Sequence, residues 1–375
     1  MKVRKYLLSF FGITYRKIVK PIFFLQDPEK VHIKTVKLGE FLGNHKSISK
    51  PIESVFNVKN KNLSQKIHEI NFDNPIGLAA GFDYEGRTTQ ILPLIGFGFQ
   101  TIGTITNLPY EGNPRPMLGR LPKSKSLMVN KGFKNFGARK TIKRLTGLKF
   151  MTPIGISIGR SNNKLCDTQT KSIEDIIASF KLFEQSLVKH SYYELNISCP
   201  NLFGNVTFYP PNNLDALLKE VDKLHLKKPL FIKMPIEKTD KEVIQMLKVI
   251  ETHTPAGVIF GNLQKDRKNK ELVPSEVKKF KVGNFSGKPT FDRSNELIKL
   301  AYTNYGERLT IIGCGGVFNA SDAYLKISLG ASLVQLITGM IFNGPQIASE
   351  INLELPKLLK KDGLTKISGA VGRLT

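Results

Sequence analysis

The stretch Asn196-Ile197-Ser198-Cys199-Pro200-Asn201 sets a thiol between two carboxamides within six residues. A thiolate can accept a proton, and amides on either side can hold the polar edges of a planar ring beside it. The same residues admit a second reading, in which Cys199 is a small buried hydrophobe, the ordinary fate of a free cysteine. Lys233 lies inside the apolar run Leu230-Phe231-Ile232-Lys233-Met234-Pro235. Burying a lysine is costly unless an anion pairs with it, which points to a ligand; a side chain that snorkels to the rim is the alternative. Gly313-Cys314-Gly315-Gly316 and Ile337-Thr338-Gly339 each follow an apolar run. Together such turns suit a phosphate, which backbone N–H groups can hold, although either one alone reads equally as ordinary loop glycine.

These groups need strands that end at one face. Eight short apolar runs, at 76–80, 98–102, 154–158, 193–197, 230–234, 257–260, 309–312 and 333–336, are predicted as buried parallel strands. Helical patterns at 173–190, 214–226, 241–252, 296–304 and 320–329 fall between them. The repeat predicts an α/β fold, a (β/α)8 TIM barrel, with function at the C-terminal ends of the strands. An open doubly wound sheet fits less well, because no GxGxxG follows the first strand. Residues 106–150 and 262–295 exceed the repeat and are expected to be loops elaborated over the catalytic face.

At 375 residues and 41% hydrophobic composition, the chain has ample core for one large domain with an appendage. Cys166, Cys199 and Cys314 show no metal-ligand or disulfide spacing, so no metal is expected. A net charge of +25 attracts polyanions in general. Its lysines are spread over nearly every segment, without a basic stripe interleaved with aromatics, so no nucleic-acid partner is expected. Residues 1–25 hold six Lys/Arg and no acid, and Arg16, Lys17 and Lys20 interrupt the apolar residues before a spanning length is reached. They are predicted as two amphipathic helices, broken near Gly12 and Pro21, lying on a membrane surface; a helical hairpin packed on the body is the other reading.

Six ordered motifs carry a family resemblance: Asn74-Pro75-Ile76-Gly77-Leu78-Ala79-Ala80-Gly81-Phe82-Asp83, Gly96-Phe97-Gly98-Phe99, Gly112-Asn113-Pro114-Arg115-Pro116, Asn196 to Asn201, Ser286-Gly287-Lys288-Pro289 and Gly330-Ala331-Ser332-Leu333-Val334-Gln335. Together, over about Pro21 to Glu350, they resemble dihydroorotate dehydrogenase. Leu25-Gln26-Asp27-Pro28-Glu29-Lys30-Val31-His32 is similar to the membrane-associated, quinone-using class, whose N-terminal helices form a lipid-facing tunnel to FMN. The resemblance implies FMN-dependent oxidation of dihydroorotate to orotate in pyrimidine (UMP) biosynthesis, with quinone as acceptor. It implies a peripheral enzyme on the cytoplasmic face of the cell membrane, with residues 1–45 as membrane-associating extension and 46–375 as catalytic barrel. A soluble-type enzyme using fumarate or NAD, or another FMN barrel oxidoreductase, is the alternative.

By position, the resemblance assigns FMN binding to Ala80, Gly81, Phe82, Asp83, Thr104, Ser157, Asn196, Lys233, Gly261, Gly287, Gly316, Ile337 and Thr338. Substrate binding falls to Asn130, Lys131, Gly132, Phe133, Asn196, Asn201 and Asn262, the catalytic base to Cys199, and the quinone entrance to His32 and Arg120. The chain departs from the pattern in places. Cys at the base position is typical of the soluble class, whereas quinone-using members carry Ser. Tyr84 stands where the membrane class has a Lys near flavin and substrate, and Gly103 does not supply the soluble class's alternative Lys; Lys131 is the candidate replacement. Leu263 replaces a hydroxyl residue, Ser157 an Asn, and Asn130 stands one position late. The thiol is expected to be depressed modestly below its ordinary value by a cationic or amide-rich site.

Overall fold

The computed structural model describes residues 2–375. Eight parallel strands close a barrel: β1 (Ile76–Leu78), β2 (Phe99–Ile105), β3 (Ile154–Ile158), β4 (Tyr192–Asn196), β5 (Leu230–Lys233), β6 (Gly257–Phe260), β7 (Thr310–Cys314) and β8 (Leu333–Leu336). Sequence neighbours pair around the ring, and β8 closes on β1. Most strand residues are fully buried, because helices cover the outside and side chains fill the inside.

Alternation along the strands sorts the barrel interior into layers. Phe99, Tyr192, Phe231, Ile259, Ile312 and Leu333 fill the lower end, which the hairpin Gln65–Ile67 and Ile70–Phe72 closes. Two residues further along, on β2, β4, β5 and β8, the filling turns polar, with Thr101, Glu194, Lys233 and Gln335. Glu194 Oε1 accepts hydrogen bonds from Thr101 Oγ1 at 2.6 Å and from Gln335 Nε2 at 2.6 Å. Burial pushes the Glu194 carboxyl up, against the pull of Lys233 and these donors. Asn196, two positions after Glu194 on β4, then emerges at the upper mouth.

Strands β3, β6 and β8 have the predicted ends, and the others differ by a few residues. The largest change is in β2, predicted over 98–102, which runs on to Ile105 through a register shift against β3. Gly103 occupies the shift with φ +113°, a conformation that glycine adopts without strain. A Cβ there would lie 2.7 Å from Ser157 O, so no lysine fits at this position. The helix predicted over 173–190 is instead Gln169–Glu184. Thr168 caps it, accepting from Lys171 N–H at 3.3 Å, a turn before the apolar periodicity begins.

The two long stretches meet above the barrel. Leu118–Leu121 and Ser126–Val129 form a hairpin, and Asn284–Gly287 adds antiparallel to its second strand. This three-stranded sheet roofs part of the catalytic face.

The N-terminal segment is helical over α1 (Lys2–Thr14), a π turn (Tyr15–Val19) and α2 (Lys20–Phe24), with no break at Gly12 or Pro21. The predicted breaks fail for two reasons. Gly12 is a contact point: a Cβ there would lie 2.4 Å from Glu350 Oε1 on the C-terminal helix. Pro21 sits in the first turn of α2, directly after the widened π turn in which Lys20 N–H reaches Tyr15 O, so its missing N–H leaves no gap. The true break is at Gln26-Asp27, where Asp27 Oδ1 accepts from Lys30 N–H at 2.8 Å and opens α3 (Pro28–Asn44). Helix α4 (Lys46–Phe56) follows. Glu40 of α3 binds Arg87 at 2.6 Å and Arg144 at 3.1 Å, fastening the extension to the barrel. Among the described residues, twelve of the eighteen exposed large hydrophobics fall between Tyr6 and Ile48, and no helix is long and apolar enough to cross a membrane.

Candidate active site and adjoining tunnel

The upper mouth holds a cavity of about 170 Å³ under the three-stranded roof. Cys199, Asn196, Asn201 and Asn262 stand in its wall with Lys131, Gly132, Phe133 and Lys233. Ala80, Gly81, Phe82, Thr104, Ile337 and Thr338 line its other side. Lys233, Asn262 and Thr338 continue into a second recess that contains Gly261, Gly287 and Gly316.

The amides are held before any ligand arrives. Asn196 Nδ2 donates to Thr104 Oγ1 at 2.8 Å, and its Oδ1 accepts from Ser198 Oγ at 3.0 Å. Asn262 Nδ2 donates to the same Ser198 hydroxyl at 2.6 Å. Asn201 Nδ2 donates to Val129 O at 3.1 Å, while its Oδ1 accepts from Asn284 at 2.6 Å. Each carboxamide has two N–H donors, so each keeps one for a ligand.

Three assigned residues stand behind the wall. Asp83 is buried and accepts from Arg87 N–H, Thr88 N–H and Gln100 Nε2, which anchors the Gly81-Phe82 turn from below. Ser157 touches the site through Thr104, with the two hydroxyls 3.0 Å apart. Asn130 accepts from Asn113 at 3.0 Å and belongs to the loop rather than the cavity.

Cys199 contradicts the expected thiol depression. Burial pushes the thiol up to about 12, against weaker pulls from Asn201 N–H, Arg160 and Lys265. Arg160 is itself buried, with Nη2 on Phe203 O and Nη1 without a partner. Sequence reasoning missed it, because a basic residue after a strand looks like surface.

Lys131 stands over the Tyr84 ring at 4.7 Å and 3.6 Å from Glu29 Oε1 of α3. Burial pushes its amine down to about 8, against the pull of Glu29. It brings a cation beside Tyr84, where the resemblance leaves one missing. Glu29 was also missed: an acid in the first turn of a helix reads as a dipole partner.

A second, apolar cavity of about 340 Å³ adjoins the first. Helices α3 and α4 wall it, and Phe82, Leu118, Leu127 and Ile341 border both. His32 and Arg120 line this tunnel. Arg120 Nη1 donates to Gln26 O at 2.6 Å. His32 Nε2 bonds Phe82 O at 2.8 Å, and burial with nearby Lys131 pushes its imidazole down to about 3.

Glycine turns after β7 and β8 meet Gly287 of the roof in this recess, a set that fits the phosphate of a flavin nucleotide. Gly287 has φ +84°, and a Cβ on it would lie 2.4 Å from Lys125 O and 2.7 Å from Thr338 Cγ2, in the recess itself. Buried Lys233 spans the recess and the cavity. A closed parallel barrel carrying such a cradle beside a polar cavity has the architecture of a barrel enzyme that takes a phosphate-bearing ligand at the C-terminal ends of its strands.

The dihydroorotate dehydrogenase family model matches residues 62–359. A protein of Trichodesmium erythraeum named dihydroorotate dehydrogenase (quinone) is 33% identical over 96% of this chain and 98% of its own length. One of Christiangramia forsetii with the same name is 33% identical over 92% and 99%. Ligand-free dihydroorotate dehydrogenase of Eimeria tenella superposes with a TM-score of 0.81 at 26% identity, covering 92% of this chain and 99% of that one. The chain belongs to the dihydroorotate dehydrogenase family.

Proposed function

We propose that the protein oxidises dihydroorotate to orotate with FMN and passes the electrons to a quinone. The carrying observation is the continuity of three spaces: a glycine cradle, a polar cavity with a thiol and three amides, and an apolar tunnel. FMN, when bound, supplies the acceptor for the hydride leaving C6 of the substrate. Cys199 takes the C5 proton on Sγ. Asn196, Asn201 and Asn262 hold the ring by its polar edges and discriminate against analogues lacking them. Phe133 closes the cavity, and Lys131 in its wall brings a positive charge to the substrate side. Gly261, Gly287, Gly316 and Thr338 hold the cofactor phosphate end, and Lys233 offsets negative charge on the reduced ring system.

The tunnel suits a quinone because its wall is apolar and its helices carry exposed hydrophobics beside basic residues. Residues 1–45 serve as the membrane-associating extension of a barrel over 46–375, on the cytoplasmic face of the membrane. The test is anaerobic flavin bleaching by dihydroorotate, followed by reoxidation with quinone, fumarate or NAD. Quinone reoxidises fastest on this reading. Faster reoxidation by NAD or fumarate would overturn the acceptor, and unchanged bleaching in Cys199→Ala would remove Cys199 from the chemistry.

A further inference from the structure

Quinone reduction consumes protons inside an apolar tunnel, and few groups there can supply them. The tunnel's polar residues are already committed. Tyr15 donates its hydroxyl proton to Ile341 O at 2.8 Å. Arg120 is a guanidinium, which does not release its proton in proteins. His32 is a neutral imidazole carrying one proton, and with Nε2–H donated to Phe82 O its Nδ1 is an acceptor.

The remaining polar atoms converge on one place. Both carboxylate oxygens of Glu29, Nζ of Lys131 and Nδ1 of His32 are buried without hydrogen-bond partners. Glu29 and Lys131 are 3.6 Å apart, too long for a direct hydrogen bond, although they attract as charges. Buried charges left so imperfectly paired are expensive. The pair lies where the two cavities meet: Lys131 and Tyr84 line the substrate cavity, while Pro28 and His32, on either side of Glu29, line the tunnel. Lys134, half-buried, places its Nζ 4.0 Å from Glu29 Oε1. Asp83, Glu85 and Arg87 complete the charged surroundings of Tyr84.

We infer that Glu29 and Lys131 form the proton-supplying pair for quinone reduction, with Lys131 as donor and Glu29 as the residue that keeps it charged and in position. This rests on quinone being the acceptor. The step balances: FMN, once reduced by dihydroorotate, would supply the quinone with two electrons and one proton as hydride, and the Lys131 ammonium would supply the second proton, giving hydroquinone and a neutral amine. The neutral amine is then recharged from solvent past Lys134. Its amine sits low enough to release a proton near neutral pH.

The experiment compares oxidants in stopped flow, using pre-reduced full-length holoenzyme. A short-chain ubiquinone needs protons; ferricyanide takes single electrons and needs none. In Glu29→Gln, the ratio of the quinone rate to the ferricyanide rate falls at least tenfold, and Glu29→Asp recovers part of it. A readout independent of turnover is the ¹³C NMR titration of reductively methylated Lys131, whose midpoint falls in Glu29→Gln. If that ratio stays within twofold of the parent, or the Lys131 midpoint does not move, the pairing is wrong while the quinone reading stands. If quinone fails to reoxidise the parent, both are wrong.

Discussion

Raising the pH gives the sharpest test of the thiol. In the proposed mechanism Cys199 acts deprotonated, and burial pushes its thiol up to about 12. At pH 8 the thiolate is then about 10⁻⁴ of the total, at pH 9 about 10⁻³, since each pH unit below the pKa is a factor of ten. Flavin reduction at low dihydroorotate, which reports the free enzyme, therefore climbs about tenfold per unit from pH 7 to 10 without levelling. Anaerobic stopped flow at the flavin band measures it, with iodoacetamide alkylation against a Cys199→Ala background as the check. Arg160→Gln, which removes a cation that opposes the rise, lowers the rate at every pH. A plateau with a midpoint near 8 in both measurements would refute the reasoning, because the thiol would then be behaving as an unburied one.

Lys326 is fully buried, donates to Ser294 Oγ and, at 2.8 Å, to Asn295 Oδ1, and burial pushes its amine down to about 7. The unfolded chain binds this proton more tightly, so stability is lost as pH falls from about 10.5 to about 7 and no further below. Urea melts of Lys326→Met should lack that slope, and an unchanged slope assigns it elsewhere. Gly287→Val should abolish cofactor retention, since its Cβ meets Lys125 O; a full complement of flavin per chain in the purified variant would disprove the cradle. Removing residues 1–25 should end co-sedimentation with phosphatidylglycerol vesicles, and retained binding would place the membrane contact elsewhere.

The barrel was legible because its strands are self-contained signals. Runs such as Gly257–Phe260 and Ile154–Ile158 are largely apolar and fully buried, so each stands out by itself. The roof was not legible. Leu118–Leu121 and Ser126–Val129 are four residues each, and their third partner, Asn284–Gly287, lies far along the chain, so no local pattern announces the sheet. The cavity gathers most of the residues that motif position suggested. The direction of the Cys199 shift was hidden, because it depends on how tightly the loops close over the thiol. Glu29 was hidden for a related reason: only Lys131, a hundred positions on, turns an ordinary helix-start acid into a buried one.

The tunnel is walled by helices whose outer faces carry Ile33, Phe41 and Ile48 to the surface. If these faces lie on a membrane as proposed, an acceptor entering between them is drawn from a two-dimensional phase, and its supply is set per lipid rather than per litre. Adding inert lipid at fixed total quinone should slow turnover, whereas adding buffer to the same vesicles should leave each bound enzyme working at its former rate.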